Sequence, residues 1–130
     1  MFKPDHKHIL LQGFISHVPK EIEIKEWLIN LVKHVRMEVV AGPVSKYVLD
    51  QGNEGVTGVI VGTISLATSH AALHIWDAIQ PAYFQFDLYS CTNFSANEVI
   101  EYFKKSLDLQ AYKYIYINRN DMDFKIIETN

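Results

Sequence analysis

Five side chains able to do chemistry fall in one stretch, Thr68 to Cys91. They are a hydroxyl at Ser69, imidazoles at His70 and His74, an indole at Trp76 and the chain's one thiol, Cys91. Imidazoles exchange protons near neutral pH and serve as general acids and bases. An indole offers a flat π-face on which a purine can stack. Successive residues of a strand point to opposite faces. An extended segment here puts Ser69 and the residues at even offsets on one side, and His70, His74 and Trp76 on the other. A turn or bulge near Ser69 would shift that register. Taken singly, each residue has an ordinary structural role, and a lone cysteine usually behaves as a small hydrophobe. Their clustering singles them out.

The stretch resembles the self-processing segment of the S-adenosylmethionine (AdoMet) decarboxylases, the small bacterial and archaeal type. In that family Glu-Ser-His is followed by His-Thr-Trp-Pro-Glu and then by Thr-Cys-Gly. The counterparts here are Thr68-Ser69-His70, His74-Ile75-Trp76-Asp77-Ala78 and Ser90-Cys91-Thr92. Gly55-Val56-Thr57-Gly58, followed by Val59-Ile60-Val61, matches the family's Gly-Val-Ser/Thr-Gly and its valines, and His8 matches in position. The resemblance implies that the chain cuts itself before Ser69, whose hydroxyl attacks the carbonyl of residue 68. The resulting ester eliminates to dehydroalanine, which hydrolyses to a pyruvoyl group that acts as an electron sink. It further implies that His74 assists processing, that Cys91 returns a proton to the substrate carbon, and that Trp76 stacks on adenine. His70 is a further catalytic candidate, and Tyr47 falls where the family has a second stacking aromatic.

The departures are specific. Thr68 stands where the family has the glutamate before the cut, Ala78 where a glutamate grips the ribose hydroxyls, and Thr92 where a glycine follows the cysteine. Asp77 is the carboxylate nearest the missing one, although in an ideal strand it faces away from Trp76. Three activities are open. The leading one is a lyase that is not cleaved and needs no cofactor. The carboxylate of AdoMet displaces sulfur at Cγ, giving homoserine lactone and 5′-methylthioadenosine, which asks for a near-attack conformation and a dry pocket. A substrate substituted on its ribose suits this reading, because a glutamate there would clash with the substituent. The second is a pyruvoyl-dependent decarboxylase proenzyme cut between Thr68 and Ser69. The third is a non-catalytic AdoMet-binding module.

Bulk properties narrow the field. The 130 residues, 48% of them apolar, suit a single domain spanning 1–130. A net charge of −3 gives no basic footprint for a nucleic-acid polymer. One cysteine excludes an internal disulfide and fits a reducing compartment. No apolar run approaches the roughly 20 residues a membrane helix needs, and the polar start lacks a signal-peptide core. The expectation is a soluble, cytoplasmic protein with no membrane partner. No metal is expected: His6 with His8, and His70 with His74, lack a thiolate or carboxylate companion at ligand spacing. Gly52-Asn53-Glu54-Gly55 lacks the Lys-Ser/Thr of a phosphate-binding loop.

The elements that must position these residues follow from periodicity. His8 to Ile15 reads as a strand. Ile24, Trp27, Leu28, Leu31, Val32 and Val35 recur at helical spacing within Glu21 to Arg36. Met37 to Val40 and Ser45 to Leu49 read as β pieces broken by Gly42-Pro43, and Asp50 to Gly55 as a loop. Val56 to Leu66, Leu73 to Trp76 and Tyr83 to Tyr89 read as strands, with Phe84, Phe86 and Leu88 facing the helices. Ser95-Ala96-Asn97-Glu98 is a capping box opening a helix through Leu107. Tyr112 to Asn118 is a strand, and Phe124 to Ile127 a further one. Strand runs split by two helices predict an α+β, two-layer sandwich with both helices on one face of an antiparallel sheet. Tyr112, Tyr114 and Tyr116, with Tyr83 and Tyr89, predict an aromatic, half-polar open face that assembles a homodimer or homotrimer.

Overall fold

Alternation in the segment Ala82–Ser90 explains the architecture. Phe84, Phe86 and Leu88 are buried there, while Tyr83, Gln85, Asp87 and Tyr89 remain at least partly exposed. One face of the sheet is therefore covered and the other open. The computed structural model describes residues 5–52 and 55–130, with side chains described outside residues 50–58. The elements are β1 (Lys7–Ile15), α1 (Glu21–His34), β2 (Val39–Gly52), β3 (Gly55–Leu66), β4 (Ser69–Trp76), β5 (Ala82–Ser90), α2 (Ala96–Leu107), β6 (Leu109–Asn118) and β7 (Lys125–Thr129). The strands pair antiparallel in the order β2-β3-β4-β5-β1-β6-β7. The expected α+β sandwich is the fold observed.

Both helices cover the same face. Ile24, Trp27, Leu28, Leu31 and Val32 of α1 are buried, as are Val99, Ile100, Phe103 and Leu107 of α2. The Phe103 ring lies 5.0 Å from Phe84, 4.9 Å from Phe86 and 5.1 Å from Trp27, joining both helices to β5. Trp27 Nε1 donates to Ser106 Oγ at 2.8 Å, and the Tyr102 hydroxyl donates to the Trp27 carbonyl at 2.8 Å. Gly62 of β3 lets α1 come close, since a Cβ there would sit 2.4 Å from Ile24 Cγ2. The capping box forms as its sequence requires: the Glu98 N–H donates to Ser95 Oγ at 3.1 Å, and the Ser95 N–H to Glu98 Oε2 at 3.0 Å.

Four details differ from the sequence expectation. The two pieces around Gly42-Pro43 are one strand, β2, because register shifts between Val39 and Val44 absorb the irregularity. Asp50, Gln51 and Gly52 continue that strand opposite Thr57, Val56 and Gly55; Asn53 and Glu54 of the expected loop lie outside the described residues. β4 starts at Ser69 rather than Leu73, because the turn Ala67–Thr68 is short enough for Ser69 to pair with Leu66. Finally, Tyr112, Tyr114 and Tyr116 do not belong to the open face. They stand opposite Gly13, Leu11 and Ile9, and directly paired residues share a face. Leu11 and Ile9 are core residues, Tyr116 is only 6% exposed, and its hydroxyl donates to the Phe94 carbonyl. Tyr83 and Tyr89 alone of the five lie on the open side. Among the described residues, no helix is long and apolar enough to cross a membrane.

Candidate functional site

The open face is built by three central strands in register. In β1 and β5, His8 stands opposite Tyr89, Leu10 opposite Asp87, Gln12 opposite Gln85 and Phe14 opposite Tyr83. On the other side of β5, β4 places His70 against Tyr89, Ala72 against Asp87, His74 against Gln85 and Trp76 against Tyr83. His70, His74 and Trp76 thus share a face, as two-residue alternation requires.

Two aromatic groupings flank this face. At one end the Trp76 ring lies 6.1 Å from His74, nearly parallel, and 5.6 Å from Tyr83, which is itself 5.6 Å from Phe14. At the other end His70 stacks on Tyr89 at 5.5 Å, and the Arg119 guanidinium lies 5.0 Å from the same ring. Between them is a cavity of about 300 Å³ lined by Leu10, Gln12, His74, Gln85 and Asp87 among others. A second hollow of about 340 Å³ lies over β6 and β7, but its lining has no imidazole, thiol or carboxylate side chain. Of these two, the smaller cavity is the one with imidazole and carboxylate side chains in its lining. A third hollow of about 210 Å³ beside α1 and α2 is lined by His17, Glu23 and Glu26 among others and holds none of His70, His74 and Trp76.

Ser69 is elsewhere. It pairs with Leu66, a core residue, so its side chain is on the helix side. Its hydroxyl donates to Ser90 Oγ at 3.0 Å, and Ser90 Oγ also accepts the Thr92 N–H at 2.8 Å. Thr68 has left-handed backbone, φ 60°, an uncommon state for a β-branched residue. Its hydroxyl donates to the Ala67 carbonyl and touches Cys91 Sγ. The fold thus joins Thr68-Ser69 to Ser90-Cys91 across the start of β4 and the end of β5. It does not bring His74 to Ser69: they lie on opposite faces and about 17 Å apart along the strand.

The three expected substrate residues are divided in the same way. Trp76 is on the open face. Tyr47 stands opposite the core residue Ile60, on the helix side, and its hydroxyl donates to both Asp77 oxygens at 3.3 and 3.4 Å. Desolvation and then the Asp77 carboxylate push the Tyr47 phenol above its ordinary range. Asp77 therefore serves Tyr47, and Ala78 follows it without a carboxylate.

One constellation was not legible in the sequence. His8 Nε2 lies 3.4 Å from Asp87 Oδ1, and His70 Nε2 lies 3.6 Å from the same oxygen. Arg119 Nη1 is 3.1 Å from His8 Nδ1. Alternation placed Asp87 on the non-core side of its strand, but no linear signal tied it to His8, and none pointed to Arg119. Sheet pairing supplies the carboxylate that the histidine pairs lacked. All three ligand atoms of His8, His70 and Asp87 lie within 4.8 Å of one another, a separation that co-ligands of one cation could have. The environment of His8 opposes such a role. Arginine only donates, so His8 Nδ1 accepts and the ring proton sits on Nε2, the atom a cation would need. A metal-bound histidine usually donates from its other nitrogen. The group is accordingly a hydrogen-bonded array, Arg119 to His8 to Asp87, with His70 alongside.

No curated protein matches the chain. The family model for S-adenosylmethionine decarboxylase matches residues 15–120, from the end of β1 to just past β6, and so includes Trp76, the Thr68-Ser69 turn and Cys91. The chain belongs to the S-adenosylmethionine decarboxylase family.

Proposed function

We propose that the protein is a lyase that binds AdoMet, or a nucleotide derived from it, on the open face of the sheet, without self-cleavage and without a pyruvoyl group. One observation carries this reading. The Ser69 hydroxyl is turned to the helix side and engaged with Ser90, away from His74, while Thr68 and Ala78 replace the family's glutamates. Adenine stacks on Trp76 beside Tyr83. The methionine part enters the cavity bordered by His74, Gln12, Gln85 and Asp87. There the substrate carboxylate attacks its own Cγ. The new C–O bond closes homoserine lactone, the Cγ–S bond breaks, and its electron pair goes to sulfur. The other product is 5′-methylthioadenosine or its ribose-substituted form. No proton has to move, so the protein's task is to bend the chain and exclude water.

A second reading, a pyruvoyl-dependent decarboxylase, draws support from family membership and from the left-handed Thr68 beside Cys91. The residues fit a Ser69-derived pyruvoyl group poorly, since the hydroxyl partner of Ser69 is Ser90 and not a base. Product analysis with carboxyl-labelled AdoMet separates the two, together with the intact mass. The lyase releases labelled homoserine lactone from one species of about 15 kDa. Labelled CO₂ and two fragments would establish the decarboxylase, and binding without turnover a non-catalytic module.

The same reading includes assembly into a homodimer or homotrimer and a place in the cytoplasm. The open face still carries Tyr83 and the exposed Leu10 and Ile115, an apolar area suited to a second copy. A monomeric mass in solution at micromolar concentration would remove that part of the proposal.

A further inference from the structure

We infer that Asp87 receives the positively charged amino-acid end of the substrate, its α-ammonium, and that Arg119 and His8 hold the carboxylate for this role. The inference rests on the AdoMet reading above. Asp87 contributes the one carboxylate among the residues lining the open-face cavity; its polar companions there are Gln12, Gln85 and His74. Among the described residues no lysine or arginine pairs with it, and its charged-group neighbours are the imidazoles of His8 and His70. A half-buried carboxylate with no fixed cation beside it is suited to a cationic ligand. The tautomer argument fixes its aim. Arg119 donates to His8 Nδ1, so His8 presents Nε2–H to Asp87 Oδ1. Both imidazoles address Oδ1, which leaves Oδ2 for the ligand.

The spacing is consistent. Asp87 pairs with Ala72, four residues from Trp76 along β4, or about 13 Å. That is the reach from a stacked adenine, through ribose and sulfur, to an amino-acid end. The role also serves the chemistry: an ammonium held by Asp87 is not paired with the substrate's own carboxylate, which is then free to attack Cγ.

Calorimetry with AdoMet and with 5′-methylthioadenosine, which lacks the amino-acid end, tests this. Asp87→Asn should weaken AdoMet binding by about 10- to 100-fold, the range for a charged hydrogen bond, and leave 5′-methylthioadenosine within about twofold. Asp87→Glu should recover part of the loss. Arg119→Met should give a smaller, AdoMet-specific loss, and nitrogen-15 spectra of the His8 ring should show Nε2–H in the parent protein and a tautomer mixture in that variant. Equal weakening of both ligands by Asp87→Asn, or of neither, would overturn the role of Asp87. Micromolar Zn²⁺ binding by the parent protein that is lost in Asp87→Asn would overturn it in favour of a metal site. A parent protein that binds neither nucleoside overturns the AdoMet reading itself, an outcome distinct from all the others.

Discussion

Ser69 and His74 are both in β4, five positions apart, and they stand on opposite faces of the sheet. Ser69 shares its side with the core and Ser90, whereas His74 borders the open cavity with Gln85 and Asp87. Within one chain, the hydroxyl and the imidazole do not meet.

Ser69→Ala is therefore expected to retain turnover within a few-fold of the parent protein. The variant loses the hydrogen bond to Ser90, worth about 1 kcal/mol, while Ser90 keeps the Thr92 N–H. Initial rates and urea unfolding check both halves. Abolished turnover together with loss of a self-cut species in the parent protein would support the decarboxylase instead.

Trp76→Ala should weaken binding of 5′-methylthioadenosine by roughly 10- to 100-fold, since stacking contributes about 1–3 kcal/mol per base. Asp77→Asn and Tyr47→Phe should leave that affinity unchanged, because their mutual hydrogen bond lies on the helix side. With Ala78 in place of a ribose-gripping carboxylate, AdoMet and a 3′-nucleotidyl derivative should bind comparably. A strong preference for the free ribose that disappears in Asp77→Asn would refute this account of the pocket.

Phe103→Ala should cost about 3–5 kcal/mol in unfolding free energy, because its ring joins Trp27, Phe84 and Phe86. Gly62→Ala should cost about 1–3 kcal/mol by overpacking, its new Cβ meeting Ile24 Cγ2. Combining it with Ile24→Ala should cost less than the sum of the single changes. Strict additivity in that double-mutant cycle would show that α1 does not rest on Gly62.

Alkaline pH should loosen the fold through two tyrosines. Burial pushes both Tyr102 and Tyr116 up to about 12, with nearby carboxylates adding to the effect at Tyr116. An unfolded tyrosine ionises near 10. The folded state then holds more protons between these values, so their contribution is full below about pH 10 and is lost as pH rises toward 12. Urea midpoints should fall across that window, and less steeply in Tyr102→Phe. An unchanged slope in that variant would remove Tyr102 from the account.

Periodicity and local chemistry were enough to read most of the fold. The 3.6-residue stripe of α1, the capping box at Ser95 and the alternation of β5 are local patterns, each decided by which side chains can be buried within one element. The same alternation divided Ser69 from His70, His74 and Trp76, and the motifs around them carried the family. What the chain could not show in one dimension was strand order and cross-strand register. The tyrosines of β6 looked like a surface stripe, and only their pairing with Gly13, Leu11 and Ile9 put them on the helix side. Asp87, His8 and Arg119 are 79 and 111 residues apart in their two contacts, and no spacing rule joins them. They meet because β1 lies between β5 and β6, a placement set by burial of the whole helix-covered face rather than by any of the three residues.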